Sequence, residues 1–195
     1  LIVGLGNPGQ EYARTRHNVG FMVAAELVDR WQLGKARDRF KGRIVEGRLP
    51  PAPPEPGRSG VAPRVAVLCP QTYMNESGRS VGPARGALKV PLDRLLVVYD
   101  EIDLPFGEIR VRLGGGLAGH NGLKSLRREL GSPDFNRVRV GVGRPDSTDP
   151  EIVSAYVLGR FAEPPEQVAD LIGRAAREVE RVVLGELDSS QGEGG

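Results

Sequence analysis

Three stretches of this chain, L-I-V-G-L at 1–5, V-A-V-L-C at 65–69 and L-L-V-V-Y at 95–99, are apolar at successive positions rather than at alternate ones. Runs this short and this apolar read as strands buried on both faces. Between them the period changes. An apolar helix is predicted from about Val19 to Trp31 and another over Gly122–Leu130. Val168, Leu171, Ile172, Ala175, Val179, Val182 and Val183 mark one face of a long final helix. Residues 40–48, Glu108–Leu113 and Arg137–Val142 add strands, the last alternating as R-V-R-V-G-V. Strands interleaved with helices predict an α/β fold. We expect a single domain over residues 1–188, with a twisted, mixed and mostly parallel β-sheet flanked by α-helices. A chain of 195 residues is long enough to bury such a core. The stretch L-P-P-A-P-P-E-P-G-R-S-G cannot hold a strand ladder. Residues 50–63 are therefore expected as a Pro-rich surface loop, and S-S-Q-G-E-G-G at 189–195 as a disordered tail.

The formal net charge is only +2, but it is unevenly spread. From Asp146 to the end there are 11 acids and 4 bases, whereas Arg110 to Arg139 holds seven bases and two acids. A local basic field attracts a polyanion, which makes the middle of the chain a candidate nucleic-acid surface. The plain alternative is a solvated Arg-rich face, since arginine outnumbers lysine 23 to 4 throughout. Cys69 is the only cysteine and reads as a reduced strand residue, which implies a reducing, cytoplasmic compartment. No apolar run approaches a bilayer span, so no membrane partner is expected. The chain begins inside a strand-like run with no basic leader, so leading residues are expected to be missing from this numbering.

Two familiar patterns do not fit their context. G-L-G-N-P-G at 4–9 matches a dinucleotide fingerprint, but the helix that should receive a pyrophosphate starts about nine residues too late. The glycines read better as a tight turn that exposes Asn7 at a strand's end. G-R-S-V-G at 78–82 matches a nucleophile elbow, with Asp100 and His120 following in triad order. Ser80, however, falls in the first turns of a helix rather than on a turn directly after a strand. A Ser80–Asp100–His120 serine esterase is kept as a runner-up. Two distant histidines and one cysteine offer no metal-ligand spacing, so no metal and no cofactor are expected.

A more coherent set comes from the loop ends. Asn7 follows the first strand, His17 precedes the first helix, Asn75 follows the 64–69 strand, Asp100 ends L-L-V-V-Y-D, and Asn121 opens a helix behind a glycine-rich loop. In an open α/β sheet such ends converge on one rim. An imidazole near neutral pKa can take a proton from water. A carboxylate can fix its tautomer, and amides can bind an oxyanion or aim the water.

The text of these segments resembles the bacterial peptidyl-tRNA hydrolase family. The resemblance rests on G-L-G-N-P-G-x-x-Y-x-x-T-R-H-N-V-G-F (4–21), P-Q-T-Y-M-N-x-S-G (70–78), D-E-I-D-L-P-F-G (100–107), L-G-G-G-x-x-G-H-N-G-L-K-S (113–125) and F-N-R-V-R-V-G-V-G-R-P (135–145). It implies cleavage of the ester between a peptide and the 3′ ribose of tRNA by a cytoplasmic monomer without cofactor. It implies that His17 is the catalytic base, that Asp100 is its partner, and that Asn7 joins them. Asn75 and Asn121 would hold substrate and water, with Tyr12 and Met74 beside them. Arg110, Arg112 and Arg139 would contact the phosphate backbone at the acceptor end, and Lys124 could add to that field. His120 is expected in a supporting role, bonded to the backbone of the glycine loop. DNA is not expected as a partner, and residues 146–159 are expected as a mobile, acidic lid.

The chain departs from the family pattern in its glycine loop, where Leu117 and Ala118 stand in G-G-G-L-A-G-H-N, and in the length of its Pro-rich stretch. Some relatives keep the fold only as an RNA-binding module, and a small-ester hydrolase without RNA is a third reading. The intact set Asn7, His17, Asn75, Asp100 and Asn121 favours an enzyme, and the basic field favours RNA.

Overall fold

A computed structural model describes residues 1–49 and 62–186. Along the chain lie β1 (Ile2–Gly4), α1 (Val19–Arg30), β2 (Arg37–Arg39), β3 (Gly42–Arg48), β4 (Arg64–Pro70) and α2 (Gly78–Ala87). They are followed by β5 (Leu96–Glu101), β6 (Ile109–Leu113), α3 (Asn121–Leu130), β7 (Asn136–Gly141), α4 (Pro150–Val157) and α5 (Pro165–Val183). Apart from Ala62 and Pro63, the Pro-rich stretch lies outside the described residues, as does the 189–195 tail.

The strands form one sheet in the order β2-β3-β4-β1-β5-β7-β6. β4, β1, β5 and β7 run parallel, and β3, β2 and β6 are antiparallel additions at the two edges. The mostly parallel character predicted from the sequence thus belongs to the four central strands. The apolar runs follow from burial on both faces. Ile2, Val67, Leu96, Val98, Val138 and Val140 pack toward α1 and α5, while Val3, Leu68, Val97 and Tyr99 pack toward α2 and α3. Adjacent strand residues point to opposite faces, so each layer takes every second residue. Burial pushes the Cys69 thiol up to about 12, against the pull of Arg43.

Two elements were not anticipated. β2 is R-D-R, fully exposed, and exists only because β3 offers it a ladder. Its charges suit an edge strand that must not pair further. α4 falls inside the segment expected as a lid, although its start is marked by Asp149, whose carboxylate accepts the Glu151 N–H at 2.8 Å, and by Pro150 in the first turn. None of its residues is buried.

The glycines of the first motif serve packing. A Cβ on Gly20 would overlap the Val98 carbonyl, and one on Gly4 would overlap the Gly20 carbonyl. Helix α1 therefore lies backbone to backbone against β1 and β5, and Trp31 at its end donates from Nε1 to Glu180 of α5 at 2.8 Å. The expected outcome for Gly20→Ala is a loss of about 3 kcal/mol in urea unfolding, as overpacking of a rigid backbone contact requires. A wild-type midpoint would mean that α1 can back away from the sheet.

Candidate active site

β1 is the switch point of the sheet, with β4 on one side and β5 on the other. A crevice opens past the carboxyl ends of strands at such a point. Here a cleft of about 740 Å³ is lined by Asn7, His17, Met74, Asn75, Asp100, Asn121 and part of α4. A depression of comparable size, about 620 Å³, lies between α1 and strands β3 and β4, but none of those six residues lines it.

Asp100 sits within β5, one residue before its end, with its side chain 1 % exposed. His17 Nδ1 lies 2.9 and 3.0 Å from its two oxygens, and His120 Nε2 lies 3.0 Å from Oδ1. His120 also caps α3. Its Nδ1 accepts the N–H groups of Gly122 and Leu123 at 3.1 and 3.4 Å. An imidazole nitrogen that accepts backbone N–H carries no hydrogen, so Nε2 carries it and donates to Asp100. The expected bond to the backbone of the glycine loop is made by the His120 N–H, which donates to the Leu117 carbonyl at 2.8 Å, while the side chain serves the first turn of α3, whose orphan N–H groups it satisfies.

The same logic sets His17. Its Nδ1–H donates to Asp100, which leaves Nε2 with a lone pair for a substrate in the cleft. Burial works to discharge the His17 imidazolium, but the Asp100 charge and hydrogen bond outweigh it and raise the pKa. Burial also pushes the Asp100 carboxyl up, and the two imidazoles outweigh it in turn, holding it well below the ordinary carboxylate range. His17, Asp100 and His120 bring three possible ligand atoms within 4.8 Å. A metal on His120 Nε2 would need the opposite tautomer, placing a hydrogen against two backbone donors, so the group fits a hydrogen-bonded relay better than a metal site.

Asn7 is fixed from both sides. Asn18 accepts the Asn7 N–H and donates to the Asn7 carbonyl, each at 2.9 Å. Asn7 Oδ1 accepts the Met74 N–H at 2.7 Å. With its oxygen engaged, Asn7 has its Nδ2 hydrogens left to offer the cleft. Asn18 was missed in the sequence because it stood in the shadow of His17, although the repeated H-N pair was the available signal. Asn75 and Asn121 are exposed at the rim, where the Asn75 carbonyl accepts from Arg128 at 3.2 Å. Tyr12 does not line the cleft. It lies on the turn before His17, and its carbonyl accepts from the Thr15 hydroxyl at 2.9 Å. Lys124 lines the cleft rather than extending the strand arginines.

Those arginines share one sheet face, since Arg110 pairs with Arg139 and Arg112 with Arg137 across β6 and β7. Their surroundings differ. Arg110 is exposed beside Glu108 at 2.6 Å. Arg139 is bonded through Nε and Nη2 to buried Glu101 at 3.1 and 3.0 Å. Arg137, absent from the sequence candidates, is buried and donates to the carbonyls of Gly116, Gly115 and Pro133 at 2.6, 3.2 and 3.0 Å. Arg112, Arg137 and Arg139 line a recess of about 230 Å³ that shares Glu101 and Ala118 with the main cleft. Ala118 holds φ +45 in the glycine loop, and Leu117 packs against the core on the α3 side.

The Ser80 alternative fails on geometry. Ser80 is fully buried in α2 and does not line the cleft. Both nitrogens of His120 are committed, so it cannot activate a serine.

A sequence model described as peptidyl-tRNA hydrolase matches residues 1–193. A peptidyl-tRNA hydrolase of Anaeromyxobacter dehalogenans (strain 2CP-C) is 45 % identical over 185 residues, 94 % of this chain and 89 % of that one. One of Mycobacterium avium (strain 104) is 52 % identical over 163 residues, 83 % and 78 % of the two chains. The crystal structure of peptidyl-tRNA hydrolase from Acinetobacter baumannii superposes with a TM-score of 0.79 at 38 % identity, over 95 % of this chain and 88 % of that one.

If Nε2 of neutral His17 is the base, hydrolysis should rise with pH through the raised His17 pKa. Asp100→Asn removes the charge that raises it, so the midpoint of the pH–kcat curve should move to lower pH. The plateau should fall as well, by up to roughly 10⁴-fold as when a triad loses its tautomer control. Rates measured from pH 5 to 9 decide this, and an unmoved midpoint would assign the titration to another group.

Proposed function

The chain belongs to the peptidyl-tRNA hydrolase family, and from that premise we propose a mechanism in which His17 activates water against the ester between peptide and tRNA 3′ ribose. His17 Nε2 takes a proton from the water as its oxygen attacks the ester carbonyl carbon. The carbonyl π electrons move onto oxygen, and Asn7 Nδ2–H donates to the oxyanion that forms. When that intermediate collapses, the bond to the ribose oxygen breaks and the His17 Nε2–H protonates the leaving 3′ oxygen. Asp100 keeps Nδ1 protonated and stabilises the imidazolium between the two transfers. Asn75 and Asn121 at the rim hold the substrate and the water. Met74 presents its N–H to Asn7 and its side chain to the core beneath, while Tyr12 shapes the turn that carries His17. The observation that carries the reading is the doubly bonded Asp100, which commits both histidines to one tautomer each.

The partner is the acceptor end of peptidyl-tRNA, held by its phosphate backbone rather than by base edges and without DNA or membrane contact. Exposed Arg110 and half-buried Arg112 of β6 support this, because a planar guanidinium grips phosphate oxygens in pairs. Arg139 contributes less, since its pair with Glu101 is largely buried whereas the Arg110–Glu108 pair is exposed to solvent. The enzyme acts as a monomer in the cytoplasm, where tRNA is, and no helix among the described residues is long and apolar enough to cross a membrane. The 146–159 segment covers the cleft, held at the far end of α4 and mobile at its acidic start. Its acids, with Asp146, Asp149 and Glu151 among them, hasten the exit of a polyanionic product.

Release of an N-acetylated aminoacyl group from tRNA, with the free-amine ester as control, tests the substrate and the base together. His17→Ala should lose about 10²–10⁴-fold in kcat and keep tRNA affinity within a few-fold. Wild-type binding without any cleavage would instead mark a binding module. Arg110→Ala and Arg112→Ala should each weaken tRNA about equally across sequences and lower the slope of log affinity against log salt by about one. A salt-independent affinity would remove the phosphate reading.

A further inference from the structure

Arg16 stands beside His17 in sequence and takes no part in the chemistry above, yet its side chain is only 8 % exposed. Its side-chain contacts among the described residues run to the far end of α4 and the residues just beyond. Its backbone N–H donates to the Gly159 carbonyl at 3.0 Å, and its neighbour Thr15 forms a β-bridge with Arg160. Its Nη1 donates to the carbonyls of Arg160 at 2.7 Å and Tyr156 at 3.3 Å. Its Nη2 lies 3.9 Å from Glu163. The guanidinium carbon stacks 4.0 Å from the centre of the Tyr156 ring, with Phe161 5.7 Å away. Tyr156 in turn donates its hydroxyl to the Val142 carbonyl, just past β7, at 2.7 Å.

These contacts matter because, besides them, α4 has few ties to the sheet among the described residues, the Tyr156–Val142 bond being one. None of its residues is buried, so no hydrophobic core fixes its position. The Tyr156 carbonyl accepts the Gly159 N–H at 3.1 Å and takes Arg16 on its second lone pair, and a cation at that end also suits the helix dipole. The same helix supplies Val153, Ser154 and Val157 to the lining of the cleft, and Leu158 at its cap adds another apolar surface. One side chain therefore joins the turn that carries the base to the wall that faces the cleft. A lysine could not do this, because it lacks the planar fork that bonds two carbonyls and stacks on a ring at once.

We propose that Arg16 is a positioning residue that fixes α4 relative to His17, and that the apolar wall so held grips the peptide portion of the substrate. The wall is Val153, Val157 and Leu158, a surface suited to peptide side chains and not to phosphates. The inference rests on the peptidyl-ester reading for its substrate, though not for the clamp itself.

The test compares Arg16→Met, Arg16→Lys and Tyr156→Leu with wild type on two substrates: tRNA carrying one N-acetylated amino acid, and tRNA carrying an N-acetylated tetrapeptide. Amide hydrogen exchange is followed in parallel. In Arg16→Met, KM for the tetrapeptide ester should rise by about tenfold or more, the scale set by loss of charged hydrogen bonds. KM for the single-residue ester should rise less, and kcat and its pH midpoint should stay at wild-type values. Arg16→Lys should recover part of the loss. Tyr156→Leu removes the ring from the other side and should give the same KM effect, and the double variant should lose little more than either single one. Exchange over 150–158 should quicken by about tenfold while α1 and β5 stay protected. Should Arg16→Met not fold, Tyr156→Leu carries the same comparison. Unchanged KM and exchange would overturn the proposal. So would a fall in kcat with a displaced pH midpoint, which would place Arg16 on His17 itself. Equal losses on both substrates with exchange raised throughout would reduce Arg16 to general scaffold and overturn it too. If wild type cleaves neither ester, the substrate reading has failed, and the exchange data alone still decide whether Arg16 holds α4.

Discussion

A carboxylate buried at the end of a central strand has to be answered by its neighbours, and Asp100 organises the site because of that requirement. An isolated charge in such a place would cost several kcal/mol or lose its ionisation. Two imidazoles answer it here, and each is tied to a different part of the fold. His120 is bound to the first turn of α3, so the Asp100 bond also fixes where α3 begins and where Asn121 stands. His17 belongs to the turn before α1, whose next residue, Asn18, locks the backbone of Asn7. Asn7 then holds Met74 and with it the loop after β4. One buried charge thus registers β5, α3, α1, β1 and the β4–α2 connection against one another.

Much of this was legible in the residues. The successive apolar positions of L-L-V-V-Y-D announced a strand covered on both sides and ending in a carboxylate. The pattern R-V-R-V put valines on one face and arginines on the other, as β7 does. What stayed hidden depends on partners that are distant in sequence. β2 has no apolar signal and forms by pairing alone. α4 had a visible cap, but without an apolar face its helix could not be told from a loop. Arg137 and Arg139 are alternate residues of one strand and look equivalent on paper. In space one holds the glycine loop and the other holds Glu101. Periodicity says which face a side chain takes, and nothing about which acceptor waits there.

The glycine loop shows how a departure from the family pattern is absorbed. Leu117 is partly buried against the core, which limits the apolar area it exposes, and Ala118 accepts a left-handed backbone at a cost of about 1 kcal/mol. Arg137 supplies three hydrogen bonds across the base of the loop, enough to hold a shape that the backbone alone would not favour.

The hairpin of β3 and β4 opens away from the chemistry. Its strands meet the cleft side of the sheet at Gly42 and Pro70 and part company at Arg48 and Arg64, beyond which Leu49 still donates to the Pro63 carbonyl at 3.0 Å. The described ends of the hairpin therefore stand the full run of two strands from Gly42 and Pro70. Doubling the length of a connection between such ends costs only about 0.6 kcal/mol in closure entropy. The fold therefore puts its cheapest place to change in length at one pole of the sheet and the cluster around Asp100 at the other.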